Sequence, residues 1–266
     1  MVIIHTEEQL NHLETSIQKN DSIILQVNSD TNLHSIENKI SLIYIYVDDE
    51  EFMLPINHSE SILKPKNIIT EKTIWVLDKK SYQHNSFIKS NDVRDLNYSY
   101  YLKHSVPFEV DIYLTNAHHF YNRVHYDKSN VNDVIPLFKH YEYLKKIRKS
   151  LQDYRIDNDE IILEVLYKIE MNGLQTTDKM VYSEYNPFTS TGRPSNRFGG
   201  MNFAALNKTD GSRKQFISRF GSKGKLVEFD YDAYHLRLIA DVLDFELPKT
   251  SVHEYFAKIY GITYKE

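Results

Sequence analysis

The stretch Phe229-Asp230-Tyr231-Asp232-Ala233-Tyr234-His235-Leu236-Arg237 concentrates the residue types that do chemistry. It joins residues 225–231 (KLVEFDY), which read as a strand, to residues 233–243 (AYHLRLIADVL), which read as a helix. An Asp at the carboxyl end of an apolar strand, just before a helix, projects into the crevice where open α/β sheets bind ligands. The Asp230 carboxylate and the Tyr231 carbonyl form a hard-oxygen set suited to Mg2+. Phosphoryl transfer by two metals needs such a carboxylate to hold the ions about 4 Å apart. The alternative for the same residues is structural, with Asp230 or Asp232 simply capping the helix.

Three polar clusters precede this stretch: Thr189-Ser190-Thr191-Gly192-Arg193-Pro194-Ser195, Asn202-Phe203-Ala204-Ala205-Leu206 and Ser212-Arg213-Lys214-Gln215-Phe216. A guanidinium fork such as that of Arg193 reads acceptor atoms and phosphates better than an ammonium. The alternative for Arg193 and Arg237 is an ion pair inside the fold. The imidazoles of His118, His119 and His125 lie near Asp127, but the spacing of seven from His118 to His125 misses the paired i, i+4 pattern of helical zinc sites. They are not read as a metal site.

The elements that must position these residues fall into two textures. Residues 1–125 read as α/β. Strands are predicted over 22–27, 40–47, 51–56 and 73–77, and helices over 7–18 and 95–104. The acidic turn Asp48-Asp49-Glu50 marks a hairpin. Residues 131–151 and 158–171 read as two connecting helices, the second stopped by Asn172-Gly173, and residues 252–260 as a further helix. With 266 residues the chain is long enough for one large domain or two smaller ones.

Composition narrows the function classes. The absence of cysteine excludes disulfides, thiolate metal sites and a Cys nucleophile. A net charge of -5 excludes a strongly basic coat but leaves room for a local basic patch. The longest apolar run, ISLIYIYV, is far short of the roughly 20 residues of a membrane span. The start, MVIIHTEEQL, has neither a basic region nor a cleavage site. A cytoplasmic protein with no membrane partner is expected, in the host cytoplasm if phage-encoded.

The ordered series from Thr189 through Arg237 resembles the palm entry of family A DNA polymerases, the class of bacterial DNA polymerase I. That family carries a Thr-Gly-Arg-x-Ser loop, an Asn-Leu-Gln-Asn-type stretch, an Arg-rich turn and an Asp-Tyr-x-x-x-Glu-Leu-Arg motif in this order. Ser251-Val252-His253 falls where the family often has Asp-Ile-His. The resemblance covers residues 179–266.

This resemblance implies a DNA-directed DNA polymerase, a nucleotidyltransferase of DNA replication, phage-like in type, with template-primer DNA and dNTPs as substrates and Mg2+ as cofactor. Asp230 and the Tyr231 carbonyl would hold metal, with Asp230 catalytic. Arg193 would organise the primer terminus. Thr191, Asn202, Arg213, His235 and Arg237 would contact DNA or nucleotide. His235 departs from the family's Glu, which puts sugar discrimination in doubt. The fingers helix and the His-Asp-Glu motif with the second metal carboxylate are missing before residue 266. The chain alone is therefore expected to be inactive, a truncated polymerase, or to need a separate chain carrying fingers and second carboxylate. The alternative is a non-catalytic DNA-binding or accessory subunit of a split polymerase.

The same family places a 3′-5′ exonuclease fold before the polymerase, and residues 1–128 fit an RNase-H-like α/β domain of that kind. Its metal ligands are poorly supplied. Asn28-Ser29-Asp30 stands where Asp-x-Glu is needed, and Asp78-Lys79-Lys80-Ser81-Tyr82 where an Asn and a later Asp are needed. This domain is read as degenerate and inactive. Residues 129–178 read as a helical connector with a reduced thumb, ending in Ile169-Glu170-Met171-Asn172-Gly173, similar to the family's Ile-Glu-x-Asn-Gly. Lys139, Lys145, Lys146, Arg148 and Lys149 form a basic stripe for phosphate contact, or else a solvated helix face. Residues 179–266 read as a partial palm whose open apolar edge implies marginal stability or association.

Overall fold

In a computed structural model of the chain, the structure describes residues 2–29, 34, 36, 40–55, 68–108, 142–152, 161–196, 200–207 and 209–263. They form two compact units, Met1–Phe216 and Ile217–Glu266. Asp30, the His118 cluster, Lys139 and the boundary expected at residues 128 and 129 lie outside the described residues.

The chain opens with β1 (Val2–Ile3) and α1 (Glu7–Lys19). A capping box starts α1: the Thr6 hydroxyl accepts from Gln9 N and the Gln9 side chain accepts from Thr6 N. Leu10, Leu13 and Ile17 recur at helical spacing and are all buried. There follow β2 (Ser22–Ser29), β3 (Ile40–Val47), β4 (Glu50–Pro55), β5 (Ile68–Ile69), β6 (Thr73–Val76), α2 (Lys79–Asn85), β7 (Ile88–Lys89), β8 (Val93–Asp95) and α3 (Leu96–His104).

Alternation along the strands builds a two-faced core. Ile23, Leu25, Val27, Ile43, Ile45, Phe52, Leu54, Ile74 and Val76 face α1 and the Tyr82 side of α2. Their sequence neighbours Ile24, Tyr44, Met53 and Trp75 face the other way, onto Leu96 of α3. α4 (Glu142–Ser150) adds Leu144 and Ile147 to this second cluster, and Leu151 follows. Burial on both faces explains the continuous apolar run of β3, which a half-exposed strand would not tolerate.

The sheet runs β1-β4-β3-β2-β6-β8. β2, β3 and β4 are antiparallel neighbours, while β6 and β8 extend the sheet parallel to β2. β1 lies parallel to β4 at the edge. An antiparallel trio extended by two parallel strands is the order expected of an RNase-H-like domain. Asp48 and Asp49 turn the β3–β4 hairpin with φ of 56° and 57°, the left-handed pair of a type I′ turn.

Beyond the sheet, α5 (Ile161–Asn172) is followed by the hairpin of β9 (Leu174–Thr176) and β10 (Met180–Val181). The boundary expected at residues 178 and 179 falls in its turn. β11 (Tyr185–Asn186) pairs antiparallel with β12 (Ser195–Asn196).

The second unit contains α6 (Tyr234–Val242) and α7 (Val252–Tyr260). Here the strand expected over 225–231 does not form; the segment has no regular structure and its residues are exposed. Phe229 is 91% and Tyr231 80% exposed. A strand is held by a ladder of main-chain hydrogen bonds to a neighbour, and this segment joins none of the described sheets. The expected palm sheet is thus not found among the described residues. None of the described helices is long and apolar enough to cross a membrane.

Candidate functional site

Open α/β sheets bind ligands beyond the carboxyl ends of parallel strands, and here those ends belong to β2, β6 and β8. Asp78 follows β6 and Asp95 ends β8. Each caps the helix that comes next. Asp78 Oδ1 accepts from Ser81 N at 3.0 Å. Asp95 accepts from Lys79 N and from Tyr98 N, both at 2.7 Å. The two carboxylates are therefore occupied in ordering α2 and α3.

A buried ionic cluster stands beside them. Lys80 Nζ donates to Glu170 Oε1 and to the Tyr185 carbonyl, each at 2.5 Å. Tyr185 N donates to the same Glu170 oxygen at 2.7 Å. His84 Nε2 lies 3.5 Å from Glu170 Oε2, and its ring meets the Tyr167 ring at 4.8 Å. Burial pushes the Glu170 carboxyl up, but His84, Lys80 and the Tyr185 amide together outweigh it and hold the carboxyl below its usual value. The segment after β10 continues from this cluster onto α3. Tyr101 donates its hydroxyl to the Thr189 carbonyl at 2.9 Å, and Tyr98 and Tyr101 pack on Phe188.

Mg2+ does not fit this crest. Position 28 is Asn, Asp78 and Asp95 serve as caps, and Glu170 is neutralised by an ammonium instead of a metal. Among the described residues no group of three or more His, Asp or Glu could hold a metal ion.

The sequence-derived candidates are spread over both units. In the first, Thr191 and Arg193 lie exposed in the loop between β11 and β12, where Arg193 N donates to Thr191 Oγ1 at 3.4 Å. Asn202 caps the short 3-10 turn Phe203–Ala205, and the Arg213 guanidinium donates to the Leu206 carbonyl at 3.2 and 3.3 Å. In the second unit, Asp230, Tyr231 and His235 are exposed.

Arg237 is engaged inside the second unit. It donates to Asp232 Oδ2 at 2.7 Å, to the Asp232 carbonyl at 3.0 Å, and to the Pro248 and Thr250 carbonyls at 3.0 and 3.1 Å. These bonds tie α6 to the loop before α7. Arg237→Ala is expected to speed hydrogen exchange at the first amides of α6 and α7 and leave the first unit unchanged; unaltered exchange in α6 would show the clasp to be dispensable.

The basic stripe is half consumed by packing. Lys145 pairs with Glu51 and sits 4.4 Å over the Tyr46 ring, and Arg148 lies 4.2 Å over Trp75. Lys146 and Lys149 remain exposed.

No family model matches this chain, and no curated protein matches it. Among solved structures it is similar to the catalytic core of RRP6 from Trypanosoma brucei, at 12% identity over 43% of this chain and 34% of that one, with a TM-score of 0.31. It is also similar to the GMP complex of T. brucei RNase D, at 14% identity over 64% of this chain and 61% of that one, TM-score 0.40. A third is the EXO domain of Nibbler from Aedes aegypti, at 13% identity over 62% of this chain and 94% of that domain, TM-score 0.32. The chain thus spans about a third of the RRP6 core and under two thirds of the RNase D chain.

The expectation of a DNA polymerase is corrected by these findings. The structures named above are RNase D, RRP6 and an EXO domain, and none of these is a polymerase, so replication, nucleotidyl transfer, dNTPs and a split-polymerase partner have no support. The chain's own geometry agrees, because the strand that was to carry Asp230 into a palm crevice is not formed.

The cluster that the structure assembles was only partly visible beforehand. Glu170 stands in Ile169-Glu170-Met171-Asn172-Gly173, a pattern that assigns it no role. Lys80 and His84 gave no signal, since KKSYQHN of α2 has no apolar stripe. An adjacent pair of lysines right after a buried strand was the one available hint.

Proposed function

We propose that this chain binds nucleic acid without cleaving it, on an RNase-H-like domain of exonuclease type that has lost its metal chemistry. The observation that carries the proposal is a basic run in an otherwise acidic protein. Residues 212–225 contain Arg213, Lys214, Arg219, Lys223 and Lys225 and no Asp or Glu. Within the second unit, Arg219, Lys223 and Lys225 are exposed beside Phe220, itself 72% exposed. Cations that track phosphates, with an aromatic face on which a base can stack, are the elements of single-strand binding. Loss of hydrolysis is supported by the capped carboxylates of Asp78 and Asp95 and by the ammonium on Glu170.

Fluorescence anisotropy with a labelled single-stranded oligonucleotide tests the binding, and gel analysis of the same mixture with Mg2+ tests for cleavage. The triple variant Arg219→Ala, Lys223→Ala, Lys225→Ala is expected to weaken binding by about tenfold or more and to flatten its salt dependence by up to about 2 in log-log slope, from about 0.7 per phosphate contact. Unchanged affinity and slope would remove this run from the interface. Mg2+-dependent shortening of the strand would overturn the non-cleaving assignment.

A further inference from the structure

Exposed apolar side chains are concentrated in the second unit. Sixteen of the twenty-two large apolar side chains exposed among the described residues belong to Ile217–Glu266, less than a fifth of the chain. At roughly 100 Å² of apolar surface per fully exposed side chain, they bare on the order of 1,000 Å² in total. The largest apolar patch of a typical monomer is about 300–600 Å², and a stable pair buries about 800 Å² on each partner. The unit therefore holds the area that pairing with a second copy needs.

α6 gives that surface an ordered centre. One of its faces is used within the unit: Arg237 is clasped to the loop before α7, and Ala240, one turn on, is the only buried residue of the helix. At about 100° per residue the opposite face carries His235, Leu238, Ile239 and Val242, the i, i+3, i+4, i+7 spacing of a helix that packs on another helix. All four are exposed, Val242 to 84%.

The charges at the two ends of α6 select the partner and its direction. At the N-terminus Ala233 holds the cap position with no side-chain bond, and the first turn has no acid; Asp232, next to it, is engaged by Arg237. At the other end the last turn has no cation, while Asp241, Asp244 and Glu246 gather there in exposed positions. Carboxylates oppose the dipole at a helix C-terminus and complement it at an N-terminus. A second α6 running antiparallel brings the acids of each copy to the uncapped N-terminus of the other and lays the two apolar faces together.

We propose that the chain pairs with a second copy of itself in this way, α6 against α6 about a two-fold axis. The basic run of residues 212–225 lies outside this helix, so the pairing does not rest on nucleic-acid binding.

Sedimentation equilibrium of the full chain from about 1 to about 100 µM, the weak end of the range for standard interfaces, tests the pairing. A monomer–dimer equilibrium is expected. Val242→Glu is expected to weaken the dimer by at least about tenfold, because it buries a charge in the seam. Replacing Asp241, Asp244 and Glu246 together by their amides is expected to weaken it by at least about threefold and to flatten its salt dependence. Urea midpoints equal to the parent's at low concentration establish that each variant is folded. The chain has no cysteine, so single introduced thiols report the direction. Ile239→Cys, near the middle of the helix, is expected to cross-link to its own copy on oxidation, and Val242→Cys to link with His235→Cys and not with itself. A monomer throughout the range, a dimer indifferent to Val242→Glu, or self-linking of Val242→Cys without that of Ile239→Cys would overturn the pairing. A monomer that instead floats with phosphatidylcholine vesicles would overturn it too, and assign the face to a lipid surface.

Discussion

Replacing Glu170 by glutamine is expected to cost about 3–5 kcal/mol of stability, because it leaves the Lys80 ammonium buried without a counter-charge. Both side chains are nearly inaccessible, at 4% exposed for Lys80 and 1% for Glu170. The glutamine is nearly isosteric, so the loss measures charge and hydrogen bonding and not a cavity. The double variant Lys80→Met, Glu170→Leu removes both charges together and is expected to recover much of the loss, as replacing a buried pair by apolar residues often does. Urea titrations of the parent, Lys80→Met, Glu170→Leu and the double variant complete the cycle, with Glu170→Gln measured beside them. Parent-like stability in Glu170→Gln would show that the cluster does not hold α2 to α5.

The same carboxylate sets a pH dependence. Its pKa is lower in the folded chain than its usual 4.5, so the stability it contributes is complete above that value and is lost as pH falls through the lower folded one. The urea midpoint of the parent is expected to drop on acidification below about pH 4.5. Glu170→Gln is expected to lack that share of the drop. Identical acid profiles for the two proteins would contradict the assignment.

The second large effect is expected at Gly173, three residues on. Its φ is 55°, the left-handed conformation that ends a helix, and a Cβ there would come within 2.7 Å of the Val181 carbonyl oxygen. The Tyr182 ring, equally near, can swing away; the carbonyl belongs to the β9–β10 hairpin and cannot move alone. Gly173→Ala is expected to cost at least about 2 kcal/mol, from the left-handed penalty plus the close contact. Gly173→Asn relieves only the first of these, since asparagine tolerates the left-handed region but still carries a Cβ. A full rescue by asparagine in thermal unfolding would show that the contact with the hairpin is unimportant.

Much of the first unit was legible in the residues themselves. The apolar runs of 22–27, 40–47 and 73–77, the Asp48-Asp49 turn, the stripe of α1 and the Asn172-Gly173 stop each encode a local preference that needs no partner to be read. Hydrophobic period and turn chemistry are properties of a few adjacent residues, and the structure keeps them. The three-residue strand β8 and the polar helix α2 were not legible, because neither is long enough to show a period.

The two places where chemistry was expected show the limit of local reading. Residues 225–231 carry the apolar content of a strand, yet a strand exists only within a sheet ladder, and they belong to none of the described sheets. Conversely, Lys80, His84 and Glu170 are separated by as many as 90 positions and carry no shared motif. The sequence by itself determined the long strands β2, β3, β4 and β6, the helices α1 and α3, the Asp48-Asp49 turn and the absence of thiol chemistry. Only the tertiary structure decided which carboxylates were taken up as caps and which cation neutralised Glu170, because charge pairing and burial depend on distances that folding creates.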